Sequence, residues 1–199
     1  GESIPLIGGA ISEANAENAR KQDIESILTD AATYADAGDY TNALRTLSGG
    51  LNKYPEDAEL TAKQTEYTEA LAAKNKQDAL DQAAQYAAAG DYKSALETVQ
   101  EAQKLLGSDA DFLQKTAEYT ESYKSAALET AAQYEKTSDY LNAYKTIQTA
   151  MDLVGSDSSL NVKLSLYAQN YASAVAAQAD EKIAAKDFAG ARTLLTNAL

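Results

Sequence analysis

The side chains in this sequence with capacity for chemistry are carboxylates and phenols. Its 199 residues contain 30 Asp and Glu and 13 Tyr, with neither His nor Cys. That removes zinc and haem ligation, iron–sulfur clusters, disulfides, thiol nucleophiles and every histidine-based triad. Among the carboxylates, Asp39, Asp91, Asp139 and Asp187 recur at spacings of 52, 48 and 48 residues. Such spacing separates successive copies by about one helix diameter, roughly 10 Å, too far for shared metal ligation. The expectation for them is a turn or cap role. Gly107-Ser108-Asp109-Ala110-Asp111 clusters oxygens, but the closing Glu of a calcium loop is missing, so capping is again expected. Asp36 with Asp39, and Glu118 with Glu121, read as solvated helix faces. No phosphate-cradling loop or dinucleotide fingerprint accompanies them. The sequence therefore reads as non-enzymatic, with no metal and no cofactor.

The tyrosines carry the sharper pattern. Tyr119 and Tyr123 are four apart, as are Tyr167 and Tyr171, and Tyr67 with Leu71 is the equivalent pair. On a helix each pair shares one face. A phenol offers rigid apolar area plus one hydroxyl, which suits both interhelical packing and a contact surface. Packing is the first expectation and an aromatic contact surface the second.

Charge narrows the partners. The net charge is -13, and Arg20, Arg45 and Arg192 are the only arginines, which opposes binding to phosphate backbones and to anionic membrane surfaces. No stretch approaches the ~18 apolar residues of a membrane span. The apolar run Ile4-Pro5-Leu6-Ile7 lacks a basic flank and reads as a tail over residues 1–11. A first residue that is Gly, not Met, implies processing, so an extracytoplasmic or surface location with a lost anchor is expected; cytoplasm is the alternative.

These residues must be positioned by a repeat. Ala37-Gly38-Asp39-Tyr40, Ala89-Gly90-Asp91-Tyr92, Thr137-Ser138-Asp139-Tyr140 and Ala185-Lys186-Asp187-Phe188 are four copies of one turn. Counted from the turn aromatic, Leu47, Val99, Ile147 and Leu195 lie seven on; Asp57, Asp109 and Asp157 seventeen on; Tyr67, Tyr119 and Tyr167 twenty-seven on. Tyr34, Tyr86 and Tyr134 lie six before. Of the 13 tyrosines, 11 sit at such positions, leaving Tyr54 and Tyr144. The spacing predicts short helices over 40–53, 92–106, 140–153 and 188–199. It predicts long ones over 57–88, 109–137 and 157–185, with an N-terminal partner over 12–37 opening after Ser12. The four extra residues of the first spacing are one helical turn, expected as a lengthening of the helix over 57–88.

The order small residue, Tyr, Gly-Asp-Tyr, Ala, Leu, small residue, Pro resembles the tetratricopeptide repeat. Ala31, Tyr34, Gly38-Asp39-Tyr40, Ala43, Leu47, Gly50 and Pro55 carry it in copy one. Ala83, Tyr86, Gly90-Asp91-Tyr92, Ala95, Val99 and Ala102 carry it in copy two, and Ala131, Tyr134, Asp139-Tyr140, Ala143, Ile147 and Ala150 in copy three. The period departs from the family's ~34 residues, being near 48. The expected fold is an all-α, α/α solenoid of about four units in a single domain over 12–199, its last repeat incomplete. The resemblance implies a protein or peptide partner held on the first helix of each pair. That points to Tyr34, Gln85, Tyr86, Gln133, Tyr134 and Lys182, with the Tyr119/Tyr123 and Tyr167/Tyr171 pairs as a second surface. A structural spacer, or capture of glycans or peptides by stacked tyrosines, are the alternatives. The exposed C-terminal end of the repeat invites pairing with another copy.

Overall fold

The computed structural model describes residues 3–198, and these form eight helices with no strand among the described residues. The order is α1 (Ser3–Asp36), α2 (Tyr40–Lys53), α3 (Ala58–Ala88), α4 (Tyr92–Leu106), α5 (Ala110–Lys136), α6 (Tyr140–Val154), α7 (Ser158–Ala184) and α8 (Phe188–Asn197). Long and short helices alternate and pack on their sequence neighbours, an all-α helical solenoid. The chain divides into two compact units, Gly1–Ala79 and Leu80–Leu199.

The turn before each short helix is built the same way four times. The Asp39 amide donates to the Tyr34 carbonyl (2.9 Å), and the Gly38 amide donates to the Ala35 carbonyl (2.8 Å). This is a Schellman termination of α1. The Asp39 carboxylate then accepts from the Asn42 amide at 3.0 Å, capping α2. Asp91, Asp139 and Asp187 repeat both roles, accepting from the amides of Ser94, Asn142 and Gly190. One aspartate thus belongs to two helices: its amide closes the first and its carboxylate opens the second.

The residue before each aspartate lies at positive φ. Gly38 and Gly90 adopt it at 75° and 77°, as their type permits. In copies three and four the same backbone is held by Ser138 (59°) and Lys186 (61°), where a Cβ makes the left-handed region costly. The other turns differ more. Gly107 and Gly155 end α4 and α6 at positive φ, whereas α2 ends at Tyr54 with φ of -130°, Pro55 following. Asp57, Asp109 and Asp157 cap the long helices that come next.

The interior follows the repeat positions. In the first unit Ile24, Ala31, Ala43, Leu47, Leu60 and Tyr67 form one buried cluster. In the second, Ala127, Ala131, Ala143, Ile147, Ala150, Leu160 and Tyr167 form its counterpart. The small residue ten after the turn aromatic shows why size matters there. A Cβ on Gly50 would meet Ile27 Cγ2 at 2.9 Å and Leu60 Cδ1 at 3.1 Å, while copies two and three carry Ala102 and Ala150, both buried.

One boundary is corrected: the helix expected to open after Ser12 begins at Ser3, so residues 3–11 are helical. Pro5 falls in the first turn, where its missing amide has no partner to lose, and Gly8-Gly9 weakens a helix without forbidding it. The extra four residues of the first spacing do lie within α3, which has 31 residues against 27 in α5 and in α7.

The turn can be tested with paired substitutions. Ser138→Gly removes the left-handed penalty and is expected to raise stability by up to about 1 kcal/mol. Asp139→Ala, which deletes the cap, is expected to lower it by about 0.5–2 kcal/mol. Urea unfolding followed by circular dichroism reads both.

Candidate interaction surfaces

The tyrosines separate into rows of different exposure. Tyr67, Tyr119 and Tyr167, twenty-seven after the turn aromatic, are buried, Tyr167 completely. The turn aromatics Tyr40, Tyr92 and Tyr140 are half-buried, and the rings of Tyr40 and Tyr67 lie 6.0 Å apart. Tyr34, Tyr86 and Tyr134, six before the turn, are 43 %, 37 % and 37 % exposed. Tyr119 and Tyr167 are therefore core residues and leave the expected second surface. Tyr123 and Tyr171, their partners four residues on, are half-buried. The reason is crossing geometry: the Tyr67 and Tyr167 positions are where a long helix packs over the short helix before it, seen in the two core clusters.

A row of lysines guards those buried rings. Lys63, Lys115 and Lys163 stand four residues before Tyr67, Tyr119 and Tyr167, with their ammonium groups 5.7, 5.6 and 5.3 Å from the ring centroids. The arrangement places each cation over a ring whose far side is buried. The same 52- and 48-residue spacing marks these lysines in the sequence, where they blend into the other surface charges.

Copy three adds a charge network. Tyr167 donates its hydroxyl to Glu135 Oε2 at 2.8 Å, and Lys163 donates to the same oxygen at 3.2 Å. The two donors hold the Glu135 carboxyl below its usual range, Tyr167 contributing most. Burial, then the neighbouring Glu135, pushes the Tyr167 phenol up. Copies one and two have Ala35 and Ala87 at the Glu135 position, so this lock exists once.

Basic residues also close over the caps of the long helices. Lys124, only 13 % exposed at its side chain, donates to Asp157 Oδ2 at 2.8 Å and to Glu121 at 2.9 Å. In the first unit Arg20 donates to Asp57 Oδ2 at 2.8 Å. Measured to their turn aromatics, Lys124 sits 16 residues before and Arg20 sits 20 before. One helical turn apart, the two side chains reach the same cap position. Asp157, with Lys124 first and then Ser159 as donors, is held far below the usual carboxylate range. Tyr54, outside the repeat phase, donates to Asp23 at 2.7 Å and takes Arg20 and Lys53 over its ring, securing the Pro55 turn.

One groove in the second unit gathers polar and aromatic groups. It has a volume of about 410 Å³ and lies between the start of α4, the middle of α5 and α6. Tyr92, Tyr123, Tyr134, Lys93, Asn142 and Lys145 line it, with threonine hydroxyls between them. Of the residues expected at a binding surface, Tyr123 and Tyr134 meet here. Gln85, Tyr86, Gln133, Lys182 and Tyr171 do not line it. Gln85 and Gln133 are exposed, Gln133 accepting from Lys136, and Lys182 is half-buried and donates to Asp187. Lys93 and Lys145 were not expected, for lysines on an acidic helical surface carry no distinctive spacing. Among the described residues no group of three carboxylates is placed to hold a metal ion, and no helix is long and apolar enough to cross a membrane.

Compared with protein-family models, with curated proteins and with solved structures, the chain matches none.

Two measurements check this sorting. Tyr167→Ala empties a buried site and is expected to cost about 3–5 kcal/mol, whereas Tyr134→Ala is expected to stay within about 0.5 kcal/mol. Equal losses in urea unfolding would contradict the assignment. The second concerns pH. Asp23, Asp39, Asp91, Asp157, Asp187 and Glu135 all have folded values below the ordinary 3.8 or 4.5, through donated hydrogen bonds and adjacent cations. Stabilisation of this kind is complete above the ordinary values and fades as pH falls towards the depressed ones. The urea midpoint should be flat from about pH 8 to about pH 5 and fall below about pH 4, measured in ~0.5 M salt to screen the chain's net repulsion.

Proposed function

We propose that the chain is a tetratricopeptide-like module that binds a protein or peptide segment and performs no catalysis of its own. The groove lined by Tyr92, Tyr123 and Tyr134 is the observation that carries this reading. It combines aromatic area with the Asn142 amide, threonine hydroxyls and the ammonium groups of Lys93 and Lys145. Such a mixture suits a peptide backbone and its side chains: rings supply apolar contact, and amide and hydroxyl groups supply orientation. The resemblance of the turn and of the small residues at Ala131, Ala143 and Ala150 to the tetratricopeptide repeat supports the same class of partner. The net charge of -13 favours partners other than nucleic acid. An extracytoplasmic setting is part of this proposal.

Selection from a displayed peptide library against the purified protein tests it. Enriched peptides are expected to bind the wild-type chain in fluorescence anisotropy and to lose at least about tenfold in affinity with Tyr134→Ala or Lys145→Glu, a change of about 1.4 kcal/mol. Failure to enrich any sequence, or equal binding by both variants, would refute the reading and leave a structural spacer as the better description. Gln133→Ala, exposed but outside the groove, serves as the control and should bind as wild type.

A further inference from the structure

The hydrogen-bond donors of the groove in the second unit are largely unspent. Lys145 makes no ion pair among the described residues, although most lysines of this acidic chain lie against a carboxylate. Lys93 reaches only Glu97, at 3.8 Å and between two exposed side chains, a contact worth little. The hydroxyls of Tyr92, Tyr123 and Tyr134 donate to no described group. Asp91 is the one carboxylate among the lining residues, and it is engaged by the Ser94 amide that it caps. Thr130 and Thr146 donate to carbonyls of their own helices, and Asn142 gives an amide hydrogen to Asp139. What the groove still offers a ligand is chiefly two ammonium groups and three phenol hydroxyls. That set matches an anionic oxygen.

These cations belong to this groove and not to the repeat. Lys93 follows the turn aromatic of copy two by one residue, and Lys145 follows that of copy three by five. One repeat on, the same places hold Leu141 and Thr193, and Lys182, which replaces Tyr134, donates to Asp187. The neighbouring copy builds the same turn and helices without them, so packing does not require them. Placement sets what they can meet. Tyr123 and Tyr134 are eleven residues apart on α5, roughly 16 Å along its axis. That distance is the reach of about five extended residues. Helices α5 and α6 are antiparallel about the turn at 137–139, so Lys145 stands across from the stretch between the two rings. A segment that touches both rings passes its middle residues over Lys145.

We propose that the groove selects peptide segments in which an aspartate or glutamate is flanked by apolar or aromatic residues. Lys145 takes the acidic side chain, and Tyr123 and Tyr134 take the flanks. This rests on the peptide-binding reading above and adds the sequence class of the ligand. Lys93 supplies a second cation to the same groove and strengthens its local positive field. The preference runs against the chain as a whole. A net charge of -13 draws basic segments to the surface, and the lysines of the groove oppose that pull. The carboxylate belongs to a side chain and not to a chain terminus, because rings on both sides of Lys145 need ligand residues before and after it.

Display selection with two baits tests this. Random peptides held between fixed flanks, so that no terminal carboxylate is offered, are panned against the wild-type chain and against Lys145→Glu. Lys145 is exposed, so the variant is expected to keep the wild-type melting temperature. The wild-type pool should be enriched in Asp and Glu at its central positions, and the variant's pool should carry Lys and Arg there instead. Lys145→Gln, which only removes the charge, should lose the preference without reversing it. A synthetic peptide from the wild-type pool, amidated at its end, should lose about tenfold in affinity when its acid becomes Lys, and recover most of that loss on Lys145→Glu. A wild-type pool without acidic enrichment, or identical pools from both baits, would overturn the acid preference and leave peptide binding standing. Equal competition by a peptide whose only carboxylate is its free terminus would overturn the side-chain assignment. If neither bait enriches any sequence, the peptide-binding reading falls and this proposal falls with it.

Discussion

Everything in this fold depends on a helix end that must be closed twice. Each three-residue turn leaves orphan carbonyls behind it and orphan amides ahead of it. A single aspartate meets both needs, its amide satisfying one helix and its carboxylate the next. With the chain direction reversed in so few residues, the helices on either side are forced into antiparallel contact. The small residues Ala43, Ala95, Ala143 and Ala191 are all buried, and their size lets paired helices pack closely. The left-handed residue before the aspartate is a requirement of this turn, which is why Ser138 and Lys186 adopt it despite carrying a Cβ.

Charge has a local role in the fold as well as a global one. Lysines over the buried tyrosines and basic residues over the cap aspartates place positive charge where helices cross, in a chain whose surplus is negative. The Lys124–Asp157 and Arg20–Asp57 contacts reach one site from positions a helical turn apart. The repeat thus constrains the location of the charge pair more than the register of the residue that supplies it.

The helices were legible because the turn signature recurs four times and sets the phase of everything between. Boundaries read from Asp57, Asp109 and Asp157 agree with the helices observed. The start of α1 was not legible, since it precedes the first copy and its glycines resemble a linker. The fate of the tyrosines was only half legible. Periodicity shows that Tyr119 and Tyr123 share a helix face, but which of the two points at the neighbouring helix depends on the crossing, and a crossing is a tertiary property. The lysines of the groove belong to no periodic pattern, so only the fold brings Lys93 and Lys145 near Tyr134.

The ordering of the tyrosines makes the chain its own spectroscopic reporter. No tryptophan competes for emission, so ultraviolet fluorescence arises from phenols alone. The buried rings divide between the two units, Tyr67 in the first and Tyr119 with Tyr167 in the second. Replacing one set by phenylalanine silences that unit's interior while keeping its packing volume nearly intact. The sequential or concerted loss of the two cores then becomes visible without any attached dye.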